Sequence, residues 1–184
     1  MGQTQPVFYY DLGSPQCYLV AETIMATLPV VPEWEPVLDW ENGQEPVDRE
    51  QVERLAAEHG LQPLRWPEPW PPDTRRAMLA TTYAKRIGRG VAFSLAAFRQ
   101  AFAGGRDLGD EDTLLIAGAA CEMHPTALRK GIELASTRAA LDAANARASA
   151  AGPSSLPAIQ IGQQVYSGPG AVESAAAALD AVLR

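Results

Sequence analysis

The stretch Asp11-Leu12-Gly13-Ser14-Pro15-Gln16-Cys17-Tyr18-Leu19 decides how the chain is read, because a strand ends and a helix begins inside it. Ahead of it, Pro6-Val7-Phe8-Tyr9-Tyr10-Asp11 is short, apolar and β-favouring, which predicts a buried strand. Gly13 supplies the turn and Ser14 is a good N-cap. Pro15 suits the first helical position, where its missing N–H costs no intrahelical bond. From there Cys17, Val20, Ala21, Ile24 and Leu28 recur at helical spacing and predict one apolar face that stops at Pro29. The run at 33–38 alternates and predicts a second strand, so strand, helix and strand form a right-handed βαβ unit.

Beyond this unit the strand signal lapses from Asp39 to about Ala135, and helical patterns follow one another between Gly and Pro punctuation. Asp48 caps a predicted helix carrying Val52, Leu55, Ala56 and His59, which Gly60 stops. Five prolines within 61–72 forbid helix or central strand and predict an extended loop over the surface, anchored by Trp66 and Trp70. Asp73 is the expected cap of a helix with Ala77, Ala80, Tyr83, Ala84 and Ile87 on one face. The next helix is expected to place Val91, Leu95, Phe98 and Phe102 in register. Two shorter helices are expected over 111–122 and 125–135, and an Ala-rich one over 137–151. The strand signal then returns. Residues 158–161 and 164–167 flank Gly162-Gln163 and read as a hairpin, and a last helix covers 171–183. The order βαβ, helical insert, αββα is that of an α/β thioredoxin-like fold, with residues 1–38 and 137–184 as the core domain and 39–136 as an inserted all-helical domain.

Composition excludes several functions. The 184 residues are 47% hydrophobic and 20% charged, enough for a sizeable core without disulfides. No run approaches the roughly 20 apolar residues of a membrane helix, and the first residues lack a signal-peptide pattern, so a cytoplasmic location is expected. The net charge of −7 carries no Lys/Arg stripe that would bind phosphates, which argues against nucleic acid as a partner. Two cysteines, Cys17 and Cys121, and two histidines, His59 and His124, supply neither a disulfide framework nor a structural zinc site.

Chemistry concentrates in two segments. A side chain at the N-cap Ser14 lies beside unpaired backbone N–H groups and the positive end of the helix dipole, where a thiolate is favoured. Redox thioredoxins place the first cysteine of a C-x-x-C pair there; here the serine hydroxyl can cap the helix or donate to a bound thiolate. Cys17 takes the place of the second cysteine but also falls on the apolar face, so it reads as a packed residue or as a reactive thiol. Ser154-Ser155-Leu156-Pro157 forms the second segment, a proline immediately before a strand and a candidate cis peptide. His59 reads as a partly buried or helix-capping residue, His124 as a loop residue and Cys121 as structural. Trp66, Trp70, Phe93, Phe98 and Phe102 read as core or pocket wall.

The chain resembles the DsbA-like thioredoxin proteins, in particular the branch holding 2-hydroxychromene-2-carboxylate isomerases and kappa-class glutathione transferases. The resemblance is carried by Tyr10-Asp11 with Ser14-Pro15 and Tyr18-Leu19, by Trp34-Glu35-Pro36-Val37-Leu38, and by the run from Trp66 to Thr74. Tyr83-Ala84, Gly88, Phe98-Arg99-Gln100-Ala101-Phe102 and Leu156-Pro157 extend it over nearly the whole chain. It implies a small-molecule substrate, a low-molecular-weight thiol, glutathione or another, and no metal; it allows a homodimer. The serine matching Ser14 would hydrogen-bond the thiol sulfur. The backbone of Leu156, ahead of a cis Pro157, would pair with the thiol peptide, and the segment holding Gly168 and Gly170 would face the γ-glutamyl end. Three departures stand out. Gln16 replaces an aromatic residue, Cys17 a small one, and Gly168-Pro169-Gly170-Ala171 a Gly-Ser-Asp-Arg type of segment. Asn42 is the one candidate for a further thiol contact. The competing implications are a DsbA-type oxidoreductase working through Cys17 and a catalytically inactive binding module.

Overall fold

The computed structural model describes residues 5–38 and 46–183, so the expected insert boundary at residue 39 and Asn42 lie outside the described residues. Four strands form one sheet in the order β2-β1-β3-β4: β1 (Val7–Tyr10), β2 (Glu33–Pro36), β3 (Ala158–Ile161) and β4 (Gln164–Ser167). β1 runs parallel to β2 with Phe8 opposite Trp34, and antiparallel to β3 with Phe8 opposite Ile159. β3 and β4 close the hairpin with Ile161 opposite Gln164, leaving the two-residue turn the sequence predicts, with Gly162 at φ 60°. Strands β1 and β2 are shorter than expected. Beyond Tyr10, Asp11 enters the turn, and the backbone N–H of Leu38 leaves the ladder for the side chain of Asn145 at 2.9 Å.

Side chains alternate across the sheet, so its two faces bury different partners. Phe8, Tyr10, Trp34 and Ile159 point into the main core with α1 (Pro15–Thr27), the helical insert and α8 (Ala171–Leu183). Tyr9 and Ala158 point the other way, where Val37 joins Ala144 and Ala148 of α7 (Ala135–Ala151) in a second, alanine-lined core. Glu35, on that face, is buried and bridged by Lys85 at 3.2 Å and Arg147 at 3.0 Å. Two cations on one desolvated carboxylate tie β2 to the helix carrying Lys85 and to α7, and compensate its burial.

All five residues expected on the buried face of α1 are buried, and Tyr18 and Leu19 are as well, because α1 packs against several other helices. The insert comprises α2 (Arg49–Glu58), α3 (Arg75–Arg86), α4 (Gly90–Phe102), α5 (Glu111–Ala120) and α6 (Pro125–Glu133). Three expectations need correction here. In α4 the buried face is Phe93, Ser94, Ala97, Phe98, Ala101 and Phe102, while Val91 is exposed and Leu95 only half-buried. The face is set by Phe98 and Phe102, whose rings meet Tyr10, Tyr18 and the tryptophan loop, with Phe93 fully buried beside them. Ile87 lies beyond the end of α3 and is exposed. His59 stands exposed at the C-cap of α2, the helix-capping position that the sequence allows. His124 is the N-cap of α6, its Nδ1 accepting from the Thr126 N–H at 3.2 Å, rather than a plain loop residue. Among the described residues no helix is long and apolar enough to cross a membrane.

The insert is bolted to the sheet by a buried hydroxyl triad. The Tyr10 hydroxyl lies 2.6 Å from Ser94 Oγ and 3.2 Å from Thr81 Oγ1, Ser94 and Thr81 are 2.6 Å apart, and Ser94 also donates to the Gly90 carbonyl at 2.7 Å. β1, α3 and α4 thus meet in one satisfied polar knot inside an aromatic core. Burial pushes the Tyr10 phenol up to about 12, even though the hydrogen bonds from Ser94 and Thr81 pull the other way.

Candidate active site

Ser14 caps α1 as expected. Its backbone is extended, and its Oγ accepts from the Cys17 N–H at 3.1 Å while its hydroxyl faces the Gln16 side-chain oxygen at 3.4 Å. Tyr18 N–H donates to the Ser14 carbonyl at 3.1 Å and begins the helical ladder. Pro15 has no N–H and Cys17 spends its own on the serine, so the Gln16 N–H is the first-turn donor left without an intrahelical acceptor. Ser14 and Gln16 are both half-buried. A hydroxyl, a backbone N–H and the positive helix end therefore converge where an anion gains most.

Cys17, three residues on, is a fully buried reduced thiol in the core. Cys121 is also reduced and buried, its sulfur directed to the Ala117 carbonyl at 3.3 Å, and burial pushes its thiol up.

The second segment reaches the same end of the sheet. β1 and β3 are antiparallel with Tyr9 opposite Ala158, and that register continued places Pro157 level with Tyr10 and Leu156 level with Asp11, three residues before Ser14. The Leu156–Pro157 peptide is cis; Pro157 is buried and Leu156 half-buried. Gly168 belongs here too: at φ 84° it donates its N–H to the Pro157 carbonyl at 2.8 Å, and its carbonyl accepts from Ala171 at the start of α8 at 3.0 Å. Gly170 is exposed, with open space where a side chain would stand. The structure thus brings Ser14, Leu156, Pro157 and Gly168 to one end of the molecule. It leaves Cys17 beneath the surface, and the 168–170 turn offers no side-chain charge.

Residues that the sequence did not single out hold the Ser14 turn in place. Asp11 is buried; its Oδ1 accepts from the Gly13 N–H at 2.8 Å and its Oδ2 from the Thr74 hydroxyl at 3.4 Å. Its carbonyl accepts from the Ser14 N–H at 3.1 Å. Leu12 N–H points at Met78 Sδ, 3.3 Å away. The proline loop closes over the same turn: a Cβ on Gly13 would lie 2.6 Å from Thr74 Cγ2 and 3.5 Å from Pro72. Further along the loop Trp66 and Trp70 pack edge-to-face on each other and on Phe102, which stacks on Tyr18 of α1. Arg49 covers the outer faces of both tryptophans at 4.6 and 5.5 Å, and Trp66 Nε1 donates to Glu53 at 2.7 Å. The loop is therefore anchored by its tryptophans, as the sequence predicts.

The sheet order, the helix-capping turn and the cis-proline loop beside it define a thioredoxin-like fold with a helical insert and a serine at the N-cap of its first helix. Solved structures share this architecture over nearly the full chain. A 2-hydroxychromene-2-carboxylate isomerase superposes with a TM-score of 0.84 at 15% identity, covering 97% of this chain and 96% of that one. A probable DsbA oxidoreductase from Streptomyces coelicolor gives 0.77 at 20% identity, covering 98% and 90%. The cytosolic disulfide reductase DsbM from Pseudomonas aeruginosa, solved with GSH, gives 0.68 at 15% identity, covering 98% of this chain and 99% of that one. No protein-family model and no curated protein matches the sequence.

Proposed function

We propose that the protein is a thiol-dependent enzyme acting on a small organic, aromatic or electrophilic, substrate by isomerisation or transfer. The observation that carries this reading is the division between Ser14 and Cys17: the hydroxyl sits at the helix N-terminus, and the thiol three residues later is fully buried. A disulfide reductase of the same fold was solved with GSH, which supports a thiol-dependent reading.

The residues present suit one end of such a thiol better than the other. Ser14 can turn its hydroxyl from Gln16 toward a sulfur, the Gln16 N–H adds a second donor, and the helix end stabilises the negative charge. The extended backbone at Leu156 can pair with a peptide-like arm. At 168–170, where a γ-glutamyl group would need a charged partner, only glycine and proline stand, and the Gly168 N–H is already engaged. A low-molecular-weight thiol other than glutathione therefore suits the site at least as well. When bound, the thiol would supply the nucleophile. The chain would lower the thiol's pKa, orient it against the cis-proline loop and shield it with the proline-tryptophan loop.

A thermal-shift series against thiols and aromatic carboxylates tests this. A thiol that raises the melting temperature of the wild-type chain, but not of Ser14→Ala, supports the reading; a shift that persists in Ser14→Ala places the thiol elsewhere. The oxidoreductase alternative requires Cys17 to react. Fast alkylation of Cys17 at neutral pH in the folded protein would replace the proposal with that alternative, and modification that needs denaturant excludes it.

A further inference from the structure

Thr74 stands at the N-cap of α3, where a threonine hydroxyl ordinarily accepts a backbone N–H of its own helix. It makes no such bond. Asp73, the residue expected to cap this helix, takes the Arg75 N–H at 3.0 Å instead. The Thr74 hydroxyl is directed across to Asp11 Oδ2, and its methyl group sits where a Cβ on Gly13 would lie 2.6 Å away. Both groups are buried, Asp11 to 6% and Thr74 to 8% exposure. One side chain of the insert thus presses on the turn before Ser14 and also bonds the carboxylate that holds that turn.

We propose that Thr74 is a positioning residue for Ser14: acting through Asp11 and Gly13, it sets the aim of the Ser14 hydroxyl and of the first-turn N–H groups of α1. The inference rests on the reading of Ser14 as the donor to a bound thiolate. The chain of contacts is short. Thr74 bonds Asp11; Asp11 receives the Gly13 N–H through its side chain and the Ser14 N–H through its carbonyl; Ser14 receives the Cys17 N–H. Thr74 directly follows the proline loop, so the position of that loop is transmitted to the helix N-terminus. The 3.4 Å hydroxyl–carboxylate contact is long for its type, so its removal should weaken the alignment rather than abolish it.

A reporter thiol reads the alignment without any bound thiol or substrate. In a Ser14→Cys, Cys17→Ala background the introduced thiol lies at the helix end, and its pKa, taken from the pH dependence of alkylation, falls below the usual value of about 8.5. Adding Thr74→Val, which keeps the shape and removes the hydroxyl, should raise that pKa by about half a unit, roughly a threefold drop in alkylation rate at pH 7. Thr74→Ser restores it. Gly13→Ala, which pushes the turn off Thr74 while leaving the hydroxyl in place, moves the pKa the same way and so separates position from charge. A reporter pKa unmoved by both Thr74→Val and Gly13→Ala overturns the proposal, even if both lower the melting temperature. Ser14→Ala in the thiol thermal-shift series tests the underlying reading separately, so either can fail while the other stands.

Discussion

The two turns that frame the candidate site are built in opposite ways. The turn at 11–14 is held by side chains from three elements: Asp11 beneath it, Thr74 and Met78 from α3, and Ser14 capping α1. The turn at 168–170 is held by backbone hydrogen bonds, Gly168 to Pro157 and Ala171 to Gly168, and it presents no polar or charged side chain to a ligand. A ligand would meet fixed, directional donors at the first turn and an open, uncharged edge at the second. On the proposed reading the site would select for a thiol sulfur and not for what the thiol carries.

The sharpest way to break this contrast is Ser14→Ala. Losing a positioned donor to a developing or bound anion costs about a hundredfold in rate, with about 1 kcal/mol of stability from the lost cap. Steady-state turnover with the active thiol and a denaturation curve read the two effects separately, and a variant with unchanged turnover would show that the first turn is structural only.

Next in size is the alkaline limb of stability, which the first turn inherits from Tyr10 at the end of β1. The phenol has a folded pKa of about 12 against 10.0 in the unfolded chain, so the protonated form is favoured by folding. The stabilisation, roughly 3 kcal/mol, is complete below pH 10 and lost as pH rises toward 12. In Tyr10→Phe this limb should flatten, at a cost of about 1–3 kcal/mol at neutral pH from the stranded Ser94 and Thr81 hydroxyls. Denaturant midpoints measured between pH 8 and pH 12 check both.

The second turn predicts smaller effects. Gly168→Ala places a Cβ at φ 84° and should cost about 1 kcal/mol in a melting experiment. Gly170→Asp should change stability by less than about 0.5 kcal/mol, since nothing occupies the space its side chain would enter. If the amino end of a thiol peptide lies at that turn, the added carboxylate tightens glutathione binding severalfold in the thermal-shift series; unchanged binding places the amino end elsewhere.

Much of this was legible without coordinates. Ser14 as N-cap, Pro15 at the first helical position, the buried face of α1 and the Gly162-Gln163 hairpin turn all follow from local chemistry that a few adjacent residues carry, whereas the facing of the Pro157 loop toward the Ser14 turn followed from the element order of the fold. The cap of α3 is instructive as a failure. Asp73 and Thr74 are adjacent and both suit an N-cap, and what separates them is the demand of Asp11, 63 positions earlier in the chain, on the threonine hydroxyl. In α4 periodicity put Phe98 and Phe102 on the buried side correctly but joined Val91 and Leu95 to them, whereas Phe93 is buried instead, because the face turns toward the ring partners that β1, α1 and the tryptophan loop supply to Phe98 and Phe102.

The sequence by itself determined the element order, a serine at the N-cap of the first helix, and the absence of charge at 168–170, since each depends on residue identity and spacing of a few positions. Only the tertiary structure decided that Cys17 is fully buried, that the Leu156–Pro157 peptide is cis, and that Asp11 and Thr74 meet at the Ser14 turn. Burial and long-range hydrogen bonds depend on which distant segments the fold packs together, and no local pattern in the chain encodes that.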